Sequence, residues 1–351
     1  MTPRDRTFAA LAGEKADRVP LTVYEGLLPR GETERRLREE GLCLVCRTPM
    51  IGVNSPNVSS DTTTYRDERF SYQREIIKTP VGEVTQVRRL GGGYGTSLLC
   101  EFPIKRPEDY RVIEFMWRDQ QYERAYDNFH SNERRLGGDG VVIGNLGYTP
   151  LQHMLILYMG PERFACDMVD YPDLFFGLYE TMAQRHREQY ELSADSPAEF
   201  YIYGDNVTAE MVGAERFDKY VAPRYNEFAA ILHAKGKKLG SHLDGKLVGL
   251  RQQVARTQLD FVEAFAPFPD GDLPIGEARA AWPDKVIWCN YPSPVHLRTE
   301  EQIEAATRQM LGEVSPSDRF LVGVTENIPD EHWQKSLPVI SRVLREEGQV
   351  R

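Results

Sequence analysis

His242 and Asp244 stand two residues apart in Lys237-Lys-Leu-Gly-Ser-His-Leu-Asp-Gly-Lys246, and both are types that ligate metals or move protons. Side chains alternate along an extended segment, so the two share one side of it. A helix-like segment from Tyr220 to Ala234, stopped at Lys235-Gly236, precedes the short β-like run that ends on them. Gly245 and another helical stretch follow. A β/α unit presents chemistry in this way, at the carboxyl end of its strand. Read alone, the pair suits equally a satisfied histidine in a βα turn with Asp244 capping the next helix. The pattern recurs, however: Asp205 and Asn206, Glu263, Asn290 and Glu326 each close a later apolar run. Several such ends in phase favour a functional mouth over a series of separate caps.

One imidazole among carboxylates is a ligand set for Zn²⁺, which takes N, O and S donors and keeps an open position when catalytic. Cys289 precedes the strand-end Asn290, so alternation turns it towards the helices and makes it an inert buried thiol. Cys43 and Cys46 have CxxC spacing but no second pair, and they fall in an apolar run. His153, beside Met154 and Leu155, is expected in the core. His130, His186, His233, His296 and His332 show no partner pattern. The absence of a Gly-x-Ser-x-Gly elbow leaves a serine hydrolase unsupported. Gly91-Gly-Gly-Tyr-Gly95 lacks the Lys-Ser/Thr of a phosphate loop, and no helix opens from it, so it reads as a flexible exit from an insertion.

The elements that must position these residues alternate between short apolar runs and longer helical ones, which predicts parallel strands with crossover helices. The expected strands are Arg18–Tyr24, Leu42–Val53, Val141–Asn145, Phe200–Asn206, the run ending at His242 and Asp244, Phe261–Ala266, Val286–Asn290 and Phe320–Asn327. Helices are expected over Thr7–Lys15, Glu32–Glu40, from Pro107 to Met116, Gln120–Arg135, around Pro150–Tyr158, Pro161–Val169 and Pro172–Glu191, and finally Glu331–Glu346. Residues 54–99 break the alternation: Thr62–Tyr65, Ser71–Lys78 and Glu83–Arg89 read as antiparallel β-ribbons with a turn at Pro80-Val81-Gly82. The expectation is a single α/β domain over residues 1–351, a (β/α)8 TIM barrel with an antiparallel β-ribbon insertion at 54–99.

The 351 residues suit one such barrel, and 41% hydrophobic with 27% charged residues is ordinary for a globular chain. A formal net charge of −10 argues against non-specific nucleic-acid binding, which needs a basic face. No apolar run approaches the roughly 18–20 residues that span a bilayer, so no membrane insertion is expected. No apolar core follows Met1-Thr-Pro-Arg-Asp-Arg6, so no secretory signal is read, and five scattered cysteines suit a reducing cytoplasm.

Six segments carry a family resemblance: Arg18-Val-Pro-Leu, Thr79-Pro-Val-Gly-Glu83, Ile104-Lys-Arg-Pro-Glu-Asp-Tyr110, Tyr203-Gly-Asp205-Asn206, His242-Leu-Asp-Gly245 and Asn290-Tyr-Pro. Their order, over about residues 5 to 348, resembles the uroporphyrinogen decarboxylase superfamily. The resemblance implies one (β/α)8 barrel with its site at the strand carboxyl ends. It also implies one of two activities: porphyrinogen decarboxylation, or methyl transfer with corrinoid proteins or coenzyme M. The decarboxylases carry Met-Arg-Gln-Ala-Gly-Arg after the first strand, where this chain has Tyr24-Glu-Gly-Leu-Leu-Pro-Arg30, with only Arg30, Arg35 and Arg36 nearby. Paired guanidinium groups hold carboxylates bidentately, so a polyacid tetrapyrrole should bind poorly here.

The methyltransferase branch is nearer. Its zinc site joins His-x-Cys to a later Cys, and this chain matches those places with His242-Leu-Asp244 and Glu326. The resemblance therefore implies a divalent metal, with Zn²⁺ the foremost candidate, on His242, Glu326 and Asp244, though harder ligands admit other ions. Asp244 is either the third ligand or the group that orients His242. Asn206, Glu263, Asn290, Tyr203 and Asp205 would line the substrate pocket. No Asp-x-His-x-x-Gly motif occurs, so the corrinoid would reside on a separate partner protein. The first reading is a metal-dependent methyltransferase acting on a small methylated substrate. A second is a metal-free lyase decarboxylating a small carboxylated substrate, with His242 or Asp244 as general acid and Asp205 stabilising positive charge. A third is a non-catalytic ligand-binding barrel. Related barrels often form homodimers, though no apolar stripe in this sequence demands one.

Overall fold

In a computed structural model the alternation closes into a barrel; the structure describes residues 1–91, 97–314, 316–328 and 332–350. In chain order the strands are β1 (Leu21–Tyr24), β2 (Cys43–Pro49), β3 (Ile51–Asn54), β4 (Ser59–Arg66), β5 (Ser71–Thr79), β6 (Gly82–Leu90) and β7 (Ser97–Glu101). They continue as β8 (Gln121–Arg124), β9 (Gly140–Asn145), β10 (Phe200–Tyr203), β11 (Lys238–His242), β12 (Phe261–Phe265), β13 (Val286–Asn290) and β14 (Phe320–Val324). β1, β2 and β9 to β14 pair in parallel, each with its successor, and β14 returns to β1 to close a (β/α)8 barrel. The chain divides into two compact units: Met1–Met50, Ala125–Gly147 and Ser196–Arg351 form one, Ile51–Arg124 and Tyr148–Asp195 the other.

The first unit holds all eight barrel strands. Their inward side chains form one apolar cluster of Cys43, Val45, Val141, Ile143, Phe200, Ile202, Phe261, Val286, Trp288 and Leu321, with Tyr24 among them. Ala10 and Leu11, from the helix Pro3–Leu11, belong to the same cluster, and the Phe8 ring stacks 5.2 Å from Phe200. Alternation sends the other residues of each strand outward, so Tyr201 and Tyr203 meet Phe228 of the helix Ala222–His233. Inside, small and large residues interleave. A β-carbon on Gly240 would lie 2.1 Å from the Phe261 ring, and one on Gly323 would lie 2.6 Å from Trp288 Nε1. Trp288 uses that space to donate to Thr22 Oγ1 at 2.8 Å.

The second unit contains the expected ribbon as a four-stranded antiparallel meander, β4-β5-β6-β7. Thr79 pairs with Gly82, which leaves Pro80-Val81 as a two-residue turn. Of the Gly-rich stretch, residues 92–95 lie outside the described residues.

Several expected boundaries differ. The Leu42–Val53 run is broken: β2 stops at Pro49, and Ile51–Asn54 pairs antiparallel with Gln121–Arg124. That pairing also claims the start of the helix expected over Gln120–Arg135, which begins only at Asp127. Cross-strand partners outweighed local helical spacing there. The first helix starts at Pro3 instead of Thr7, because Thr2 and Asp5 form a capping box around it. The last helix is observed over Trp333–Glu347, and Glu331 lies outside the described residues. No helix among the described residues is long and apolar enough to cross a membrane.

Overpacking a filled core costs about 1–3 kcal/mol. Gly240→Ala and Gly323→Ala are each expected to lower the denaturant midpoint by that much, with no change in the slope. A wild-type midpoint in both would contradict the interleaved packing.

Candidate active site

The site is built on a register. His242 at the end of β11 and Glu263 in β12 are direct neighbours, and both point into the barrel. Glu263 is fully buried; its Oε2 lies 2.7 Å from His242 Nδ1, and its Oε1 accepts the Tyr24 hydroxyl at 2.6 Å. Tyr24 arrives from β1, across the barrel in sequence. A carboxylate can only accept, so the imidazole Nδ1 carries the proton and Nε2 is free to face the mouth. There Nε2 lies 3.5 Å from Glu326 Oε1 and 3.7 Å from Asp244 Oδ2. One ligand atom from each of His242, Asp244 and Glu326 falls within 4.8 Å of the other two.

Several backbone devices hold this arrangement. Leu243 N donates to Glu263 O at 2.9 Å and Asn206 N to His242 O at 3.0 Å, extending the ladder past the strand ends. Gly245 lets the segment after Asp244 pass Thr208, whose Cγ2 would stand 2.2 Å from a β-carbon there. Ala264 has φ of +55°, and the β12–β13 register shifts across it. Such a conformation costs on the order of 1–3 kcal/mol and bends a strand locally, directly after the residue that fixes the imidazole. Asn290 Oδ1 accepts both the backbone N–H and the hydroxyl of Thr325, each at 3.0 Å, and so anchors the residue before Glu326.

The electrostatics call for a cation. Burial alone would lower the His242 pKa, but the charge of Glu263 and the hydrogen bonds of Asp244, Glu263 and Glu326 raise it well above its ordinary 6.5. Burial and then Glu263 push the Tyr24 hydroxyl well upward, so Tyr24 is a permanent neutral donor. In the absence of a metal, the imidazolium supplies the positive charge that three carboxylates demand. A divalent ion would supply it equally. Donor atoms about 2.0–2.1 Å from a tetrahedral ion stand roughly 3.3 Å apart, close to the two separations observed at Nε2.

The remaining expected site residues divide. Asn290 is buried behind the Glu326 segment. Asn206 is exposed, at φ +48°, a region that asparagine tolerates. Asp205 is fully buried and accepts the Tyr225 hydroxyl at 2.6 Å; that hydroxyl also meets Ser241 Oγ at 2.9 Å. The Tyr203 ring, expected on the pocket wall, lies 5.7 Å from Tyr225 and 6.4 Å from Phe228, between barrel and helix. Odd positions of β10 face outward, which explains both residues. Cys289 is buried on the outward face with its thiol pushed up by burial. Cys43 belongs to the barrel interior, and Cys46 meets Thr48. In the second unit His153 packs against Tyr158 and Trp117, and burial holds its pKa down to about 4.

Sequence reading missed Tyr24 and Arg47. Tyr24 ends the inward series Thr22-Tyr24 of β1 and Arg47 continues the series Cys43-Val45 of β2, and that parity was the available signal. The Arg47 guanidinium sits 4.0 Å above the Tyr24 ring.

Removing one partner of a buried ionic pair costs about 3–5 kcal/mol, whereas a half-exposed partner costs under about 1 kcal/mol. Glu263→Ala should therefore destabilise the protein strongly and Glu326→Ala, whose side chain is 43% exposed, hardly at all; equal losses in thermal or denaturant unfolding would contradict the roles assigned. A raised folded pKa stabilises below the unfolded value and is lost as the pH climbs through the folded value. In chelator-treated protein the His242 contribution should thus be complete below about pH 6.5 and fade at higher pH. The His242 ring protons, followed by NMR, should titrate at lower pH in Glu263→Gln, and an unmoved titration would refute the carboxylate's role.

A family model described as uroporphyrinogen decarboxylase (URO-D) matches residues 101–333. No curated protein sequence matches the chain. Among solved structures, a methyltransferase from Methanosarcina mazei superposes over 99% of this chain and 99% of its own, with a TM-score of 0.60 and 11% identity, a likeness of fold. A structure of the pneumococcal virulence factor StrH has 9% identity, covers 96% of this chain and 85% of its own, and has a TM-score of 0.38. Dispersin B has 12% identity, covers 74% and 80%, and has a TM-score of 0.32. Both are too remote to carry an argument.

Proposed function

The chain belongs to the uroporphyrinogen decarboxylase family, a family of enzymes, and from that premise we propose that it is a metal-dependent methyltransferase, moving a methyl group between a small methylated substrate and a corrinoid carried by a separate protein. The observation that supports this reading is the convergence of His242 Nε2, Asp244 and Glu326 on one rim, with Glu263 behind the imidazole. His242, Asp244 and Glu326 would hold a divalent ion, for which Zn²⁺ is the first candidate. An ion held there would supply Lewis acidity to the heteroatom that carries or receives the methyl group.

The chain's own side chains do the rest. Glu263 accepts the Nδ1 proton and keeps the Nε2 lone pair aimed at the mouth; partners of this kind are typically worth 10- to 100-fold in metal affinity. Tyr24 occupies the other Glu263 oxygen and prevents the carboxylate from turning. Asn290 fixes Thr325, so Glu326 extends from an anchored backbone while its own carboxylate stays solvent-accessible. That accessibility leaves a side of the ligand group open to substrate. Asp205 supports this rim through Tyr225 and Ser241, directly beside His242 in sequence. The lyase reading requires a carboxylated substrate and no metal.

Protein purified without chelator is expected to hold about one divalent ion per chain by elemental analysis, with His242→Ala and Glu326→Ala holding little. Added cob(I)alamin should change its absorption spectrum with a methyl donor only in the metal-loaded wild type. Release of carbon dioxide from a carboxylated substrate by metal-free protein would overturn the proposal in favour of the lyase.

A further inference from the structure

We propose that Arg47 is the specificity-determining residue of this mouth, and that the small substrate carries a carboxylate which the Arg47 guanidinium receives. The inference rests on the reading of the mouth as an active site and names the class of molecule that enters it. Four observations converge. Arg47 follows Cys43 and Val45 in the inward series of β2, and Tyr24 pairs with Val45, so Arg47 stands one inward position nearer the rim than Tyr24. Its guanidinium lies 4.0 Å over the Tyr24 ring, while the Tyr24 hydroxyl is 3.4 Å from His242 Nδ1. A molecule of a few heavy atoms therefore spans from Arg47 to the His242 group. The Arg47 side chain is exposed, and among the described residues it makes no hydrogen bond or ion pair.

The same mouth contains Asp244, Glu263 and Glu326, yet none of them takes the arginine. Glu263 is committed to His242 and Tyr24, and Asp244 and Glu326 face Nε2. Stacking on an aromatic face holds a guanidinium in place while leaving its N–H fork open. An open, positioned fork matches a planar carboxylate with two parallel hydrogen bonds. The neighbouring carboxylates decide between anions: they repel a dianionic phosphate ester more strongly than a monoanionic acid. The substrate end held at Arg47 is then a single carboxylate, and the methyl-bearing heteroatom lies towards His242.

The test compares an acid with its amide. Methoxyacetate, 4-methoxybenzoate, their amides and methyl phosphate are titrated calorimetrically into full-length protein, into Arg47→Gln and into Arg47→Lys, each with and without EDTA; unchanged thermal unfolding shows that the variants are folded. At least one acid is expected to bind tenfold or more tighter than its amide and than methyl phosphate. Arg47→Gln should abolish that preference and Arg47→Lys should keep part of it. Acids that bind no better than their amides overturn the proposal, as does an acid preference that survives in Arg47→Gln. A preference lost with EDTA but kept in Arg47→Gln would assign the anion to a metal, sinking the role of Arg47 while leaving the metal reading intact. A preference that needs Arg47 and ignores EDTA sustains the proposal even if no metal is found.

Discussion

A carboxylate with no access to water sets the terms for everything at this rim. Glu263 cannot be left alone in the barrel, since an unpaired buried charge is among the most costly features a fold can contain. Its two oxygens are met by the Tyr24 hydroxyl and the His242 Nδ1–H, and these come from strands far apart in sequence. The imidazole is fixed in plane and tautomer by that demand. Asp244 and Glu326 then face a nitrogen that cannot turn away from them. Exchange of Glu263 for an apolar residue would leave the His242 imidazole and the Tyr24 hydroxyl without their partner and remove the reason for this geometry.

Beneath the rim the barrel is ordinary and closely packed. Phe261 and Trp288 fill the space left by Gly240 and Gly323, and Phe8 and Leu11 belong to the opposite end of the same cluster. The local irregularities collect above that layer, at Ala264 and Asn206, where the backbone takes left-handed values beside the site residues. A rigid lower layer can support such strain because it leaves the strands few alternatives.

The fold was legible because parallel strands buried on both faces read as short apolar runs, each ending abruptly in a polar residue. The runs at 261–265, 286–290 and 320–324 lie where the sequence puts them. His242, Asp244 and Glu326 were legible as strand ends, and the structure brings them within reach of one another. What sequence could not supply was facing. Tyr203 and Asp205 occupy a strand end as well, yet parity turns both towards Tyr225. Glu263 could be marked as polar and inward, but its depth depends on the register with His242, which involves two strands at once. Arg47 lay in a segment with no motif and Tyr24 only at the head of the Tyr24–Arg30 segment that departs from the family motif, and their importance emerges only when β1 and β2 stand side by side. The misplaced helix start at Gln120 has the same origin, because β3 and β8 pair across residues about which local spacing is silent.

The closing seam has a consequence in time. Tyr24 lies on β1, and Glu326 follows β14, whose Val322 pairs with Leu21. A growing polypeptide would carry Tyr24 and Arg47 out of the ribosome long before Glu326 is made. Until the last strand docks beside the first, the rim has no third acid. The site therefore comes into being in one late event, together with barrel closure. An ion that binds the finished rim can stabilise the completed protein, but it has no assembled coordination shell with which to nucleate it.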